Sequence, residues 1–275
     1  EWGLSGLMES HHYGWWPSFV SELAKNAFWS GGEPTEEKAR AIARRDYGVE
    51  AAPLVVGAWR DWSDASRDYV PTNEDQYGPF RVGPSYPMLF RWIVNVPQAW
   101  YAMFGNSIIA PDYGPRESAR QSPGAARFPV EIRALTAMQE RWQEGIDKLE
   151  LALEVAPERK RAGLTEMLNL GRFVSHCLTT TINLKKWWLL KQELTQEGDP
   201  AKANALLDRM VGLAEAEIRN AEETIPLVEQ DSRLGFEPSM EYMTDRKHLE
   251  WKIAVTRRVI DHEIAEHRKA IALVK

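Results

Sequence analysis

From Pro129 onward the chain carries four long apolar stripes, and they constrain its fold more than any other feature. Ile132, Leu135, Met138, Trp142, Ile146, Leu149 and Leu153 form the first, closed by Pro157. Leu164, Met167, Gly171, Val174, Leu178, Thr181, Lys185 and Trp188 form the second, which ends near Gly198. The third is Leu207, Met210, Ala214, Ile218, Ala221, Ile225 and Val228. After Gly235-Phe236-Glu237-Pro238, the fourth uses Leu249, Ile253, Ile260, Ile264 and Ile271. The steps alternate between three and four, the period of one helix face. Helices of about 25–40 residues, roughly 40–60 Å long, joined by short turns predict an up-and-down four-helix bundle over residues 129–275.

The first 128 residues read differently. Phe19, Val20, Leu23, Ala27 and Phe28 lie at helical spacing, and Ser30-Gly31-Gly32 stops that run. A second helix opens at Pro34-Thr35-Glu36-Glu37, with Thr35 as the expected N-cap, and ends at Gly48. A third covers about Ala51 to Tyr69, with Leu54, Val55, Ala58, Trp59, Trp62 and Ala65 on one face. Residues 70–128 then alternate proline–glycine pairs with aromatic residues, a long irregular stretch too aromatic for disorder. Within it, Met88 to Val96 reads either as a short helix or as an extended buried segment. The expectation is an all-α chain: an aromatic-rich helical and loop half over 1–128, then the bundle over 129–275.

Composition narrows the partners. A net charge of -6 and a pI of about 5.7 argue against nucleic acid, which needs a basic face. The single cysteine, Cys177, excludes a disulfide framework within the chain and fits a reducing, cytoplasmic compartment. No apolar run approaches the roughly 18 residues of a membrane span, so no membrane partner is expected. No phosphate-cradling glycine loop, nucleophile elbow or Cys-x-x-Cys calls for a cofactor, and none is expected. The chain opens on Glu1 rather than Met, and the expectation is that it is the C-terminal part of something larger.

The chemistry-bearing residues concentrate near the N-terminus. A short apolar run, Gly3 to Met8, ends in Glu9, Ser10, His11, His12, Tyr13, Trp15 and Trp16 before a helix begins, the order strand, loop, helix. On a strand, Glu9 and His11 would point the same way. A carboxylate and an imidazole there could bind a sugar hydroxyl, move a proton, or hold a metal if a third ligand existed, and no spacing nominates one. The alternative is a hydrogen-bonded loop without chemistry. The twelve tryptophans are read either as core or as a flat apolar surface on which sugars stack, the latter favoured for Trp15 and Trp16. Asn73, Glu74, Asp75 and Tyr77 are either a sugar-binding rim or a solvated acidic turn. Asp231 to Pro238 is either a charged capping turn or a link that folds back on the aromatic half. His262 and His267, five residues apart, lie about 140° apart on an α-helix and do not share one ion.

The segments Gly6 to Phe19 and Asp231 to Phe236 resemble the C-terminal region of bacterial glycoside-hydrolase-like proteins, in which a (β/α)8 barrel precedes a helical domain. The resemblance implies that the opening is the last barrel strand with its loop and helix, that an upstream barrel domain is a partner, and that the ligand is a carbohydrate. Glycosidases need two positioned carboxyl groups; here Glu9 is a catalytic candidate and the catalytic pair is otherwise unassigned. Glu9, His11, His12, Trp15, Trp16, Asn73, Glu74, Asp75 and Tyr77 are the substrate-binding candidates, with no metal site. The expected function is a C-terminal domain of a glycoside hydrolase that lends cleft residues and support and is inactive alone. The competing expectations are a helical protein-interaction module without a small-molecule site and, third, a complete all-α enzyme.

Overall fold

The computed structural model describes residues 18–28, 33–69, 79–92, 94–95, 108–109, 124–237, 241–242 and 244–273. Helices dominate them, and the only strands among them are two antiparallel pairs of two-residue strands, so the all-α expectation stands. The strand expected at 3–8 lies outside the described residues. The chain forms two compact units. One comprises residues 1–67 and 140–172, the other residues 68–139 and 173–275.

The first unit holds α1 (Phe19–Phe28), α2 (Thr35–Tyr47), α3 (Ala52–Ala65), the C-terminal half of α5 (Gly124–Val155) and the start of α6 (Glu158–Gln196). Acidic Glu36 and Glu37 in the first turn of α2 and basic Arg44 and Arg45 in its last complement the helix dipole. Thr35 is the first helical residue rather than the cap; Pro34 takes the cap position and no side chain bonds there. Gly48 closes the helix at φ 102°, a conformation that disfavours a side chain. In α3, Pro53 occupies the first turn, where its missing N–H is no loss, and Val55, Ala58, Trp59, Trp62 and Ala65 face the core.

Aromatic stacking organises that core. Phe19 stacks on Trp59 at 3.9 Å. Trp62 lies flat on Trp142 at 4.6 Å and donates to the Trp142 carbonyl at 3.0 Å, while Trp142 donates to the Gly171 carbonyl at 2.8 Å. The Trp62 ring fits because Gly145 on α5 and Gly171 on α6 leave it room; a Cβ at either position would collide with the indole. These tryptophans are core residues, as one of the two sequence readings holds.

The second unit contains the short α4 (Pro79–Val82), the start of α5, the rest of α6, α7 (Pro200–Gln230), α8 (Arg246–Arg258), a π-helical turn (Val259–Ile264) and α9 (Ala265–Leu273). Pro129, where the sequence places the start of the first long helix, is internal to α5. Asp199 caps α7 by accepting from Ala201 N, and Asp245 caps α8 by accepting from His248 N. Thr180–Glu217 and Glu193–Arg209 join α6 to α7, and Glu229–Arg246, Glu222–Arg257 and Asp208–Arg268 join α7 to the α8–α9 run. In each pair of helices one partner's number falls as the other's rises, so successive helices are antiparallel. Met88–Val96 is resolved in favour of an extended path: Met88, Leu89 and Phe90 are buried without regular structure, and Val94–Asn95 pairs with Ile108–Ile109.

The fourth stripe differs from its expected phase. His248, Lys252, Val255, Thr256, Val259 and Glu263 are buried with Leu249 and Ile264, whereas Ile253, Ile260 and Ile271 are only partly covered. The π-helical turn spends one extra residue per turn and rotates everything after it. Asp231 begins a charged turn: its carboxylate accepts from the backbone N, Nε and Nη2 of Arg233, which holds the carboxyl below its ordinary range despite partial burial.

Two glycine substitutions should move stability in opposite directions in chemical denaturation. Gly171→Ala forces a methyl into Trp62 and should cost about 1–2 kcal/mol net. At Gly212, in open space within α7, Ala should add about 0.5–1 kcal/mol through helix propensity alone.

Candidate functional site

Several charges that an amphipathic helix would leave at the surface are inside the second unit. Lys185, Lys252 and Glu217 are fully buried, with Glu131, Asn183, Asn220, Thr180 and Thr224 beside them in the interior. Lys252 Nζ donates to Glu217 Oε2 at 2.7 Å, to the Glu217 carbonyl at 2.9 Å and to the Pro84 carbonyl at 3.0 Å, which uses all three of its protons. Glu217 also accepts from Asn183 at 2.9 Å and from Thr180 at 3.0 Å. Asn220 Nδ2 extends the chain to Thr180 Oγ1 and the His176 carbonyl, and its Oδ1 faces His176 Nδ1 at 2.6 Å. Separately, Glu131 takes Lys185 Nζ at 2.8 Å and Arg127 Nε at 3.0 Å, with Lys185 also 4.6 Å from the Phe128 ring.

Saturated in this way and closed to solvent, the Lys252–Glu217 cluster is built for positioning. A general acid or base must reach a substrate proton, and neither Lys252 nor Glu217 has exposed surface. Cys177, beside it, is no nucleophile: burial pushes its thiol up to about 12, so it stays protonated at neutral pH. Among the described residues no group of three His, Cys, Asp or Glu is arranged to hold a metal ion.

What the cluster positions is the segment 79–85. Gly83 adopts φ 75° against Cys177 and Thr244. Thr244 Oγ1 donates to the Val82 carbonyl, and Ser85 Oγ shares a 3.1 Å hydrogen bond with Thr244 Oγ1. Tyr69 and Phe80 close the two ends of the intervening stretch, with ring centroids 4.9 Å apart. Asn73, Glu74, Asp75 and Tyr77 belong to that stretch and lie outside the described residues, as do Glu9, His11, His12, Trp15 and Trp16. In the first unit, α1, which follows Trp16, is tied down by Phe19 on Trp59 and by Arg45, whose guanidinium donates to both Glu22 oxygens at 2.9 and 2.7 Å.

Glu217 and Lys252 were not singled out in the sequence, although a signal existed. Glu217 falls three residues after Ala214 and four before Ala221, and Lys252 three after Leu249, so both sit at core phase. A charge at core phase implies a buried partner, and Lys185 inside its own stripe carried the same message. No family model, curated protein or solved structure matches this chain.

Removing one member of the buried pair leaves the other charged and unpaired. Lys252→Met should destabilise the protein by about 3–5 kcal/mol in urea denaturation, and Lys252→Met combined with Glu217→Leu should recover a large part of that loss. Equal losses in the single and double variants would show that the ion pair does not couple the two helices.

Proposed function

We propose that this chain is the C-terminal helical part of a glycoside-hydrolase-like protein, lending carbohydrate-contacting residues and structural support to an upstream barrel domain, and turning over nothing alone. The observation that carries the reading is the fixed base under one candidate set. The Tyr69–Phe80 ring pair and the Thr244 lock on residues 82–85 hold the ends of the segment bearing Asn73, Glu74, Asp75 and Tyr77. Closed loops of this kind on a rigid frame are where binding residues concentrate. Their amides, carboxylates and phenol are the groups that pair with sugar hydroxyls, and Trp15 and Trp16 offer stacking surfaces. Glu9 is the candidate carboxylate; glycoside hydrolysis needs a second one held at a set distance, which the upstream domain would supply. No described helix is long and apolar enough to cross a membrane.

A second reading, a helical protein-interaction module, draws on an open groove of about 480 Å³ between α6 and α7, lined by Lys186, Leu189, Leu190, Glu193, Arg209 and Leu213.

The two readings separate in one set of measurements. With the upstream region in cis, the protein should hydrolyse an aryl glycoside; Glu9→Gln should lower turnover by at least about 100-fold, as loss of a positioned catalytic group does, and Trp15→Ala should weaken sugar binding. Residues 1–275 alone should give a strongly helical circular dichroism spectrum and no turnover. Unchanged binding and turnover in both variants would refute the carbohydrate reading, and so would turnover by residues 1–275 that Glu9→Gln abolishes.

A further inference from the structure

The strap Tyr86–Trp92 crosses the second unit without regular structure and is fastened at intervals. Met88 and Phe90 enter the apolar core with Leu184, Trp187, Val259 and Ile264, and Trp187 Nε1 donates to the Leu89 carbonyl at 2.9 Å. At its far end two polar fasteners meet at one residue. The Arg91 backbone N–H donates to Glu263 Oε2 at 2.9 Å, and the Arg91 guanidinium donates to His267 Nδ1. Phe90 packs edge-on against the same imidazole at 5.5 Å, with the Arg91 guanidinium 5.4 Å from the Phe90 ring. The π-helical turn makes this possible: it brings Glu263 inward, and His267 follows one turn later. Such turns are over-represented at functional positions.

We propose that His267 and Arg91 form a pH-sensitive latch that holds the end of the strap and the strand Val94–Asn95 behind it. A neutral imidazole offers Nδ1 as an acceptor to Arg91. An imidazolium has no acceptor and sets a second positive charge against the guanidinium. The charged groups around His267 favour the neutral form. Arg91 faces it from the strap. Glu263, one turn earlier, is engaged by the Arg91 N–H and by Arg258 at 3.3 Å. On α9 its neighbours are Glu266, Arg268 and Lys269, and Arg268 pairs with Asp208 of α7. Partial burial and the Arg91 charge hold His267 below its ordinary 6.5. The sign follows: with the folded value depressed, the latch is fully closed above pH 6.5 and opens as pH falls through the lower folded value. The latch does not depend on the carbohydrate reading.

Hydrogen exchange of the whole chain, corrected for intrinsic rates, tests it at about pH 7.5 and about pH 5.5. Protection of residues 86–92 should fall about three- to tenfold at the lower pH in the wild type, a change of up to one pKa unit's worth of coupling. His267→Gln keeps an acceptor for Arg91 at every pH and should show no step. Arg91→Gln should return the His267 titration, followed by NMR, to its ordinary value. A flat wild-type profile, an equal fall in His267→Gln, or a wild-type His267 titrating at or above 6.5 would overturn the latch.

Discussion

One buried ammonium sets the terms for the second unit. Lys252 must keep three acceptors in place at once, because a charge without partners in the interior costs several kcal/mol. Those acceptors are the side chain and the backbone of Glu217 on α7 and the Pro84 carbonyl. Moving α8, α7 or the 82–85 corner by more than a few tenths of an ångström strands the charge. The demand propagates outward: Glu217 is further held by α6 through Thr180 and Asn183, and the corner carries the strap that runs on to Arg91. Directional hydrogen bonds thereby fix the register of helices that apolar contacts alone would let slide.

The first unit solves the same problem with shape. Trp62 is wedged between Gly145 and Gly171 and stacked on Trp142, and each indole N–H in this pair ends on a backbone carbonyl. A flat ring between two glycines admits one depth of insertion, so the close-packed interior does the work that ionic pairing does in the other unit. Both devices spend residue types that a hydropathy stripe treats as neutral or unfavourable: glycine in mid-helix, and lysine and glutamate in a core.

The candidate binding segments inherit rigidity from these devices. Tyr69 with Phe80, and Thr244 with Val82 and Ser85, hold the ends of the stretch bearing Asn73 to Tyr77, while Phe19 on Trp59 seats the helix that follows Trp16. A binding set gains affinity from a preorganised base, because less conformational entropy is lost on contact. The apolar residues at the roots of these segments, not the polar residues at their tips, are the part that packing explains.

By itself the sequence determined the helical class, the approximate extent of the long helices, the core face of α3 and the burial of Leu178 and Cys177. Each follows from a period of 3.6 read along one segment, a property a helix carries without its neighbours. The tertiary structure decided the rest: the division of α5 and α6 between two units, the extended path of Met88–Phe90, the π-helical turn that shifts the fourth stripe, and the pairing of Lys252 with Glu217 and of Lys185 with Glu131. None of these is written in a local period. A buried lysine is tolerable only if a carboxylate on a facing helix arrives at the same height, and that height is set by how helices pack, not by the spacing of residues within either one.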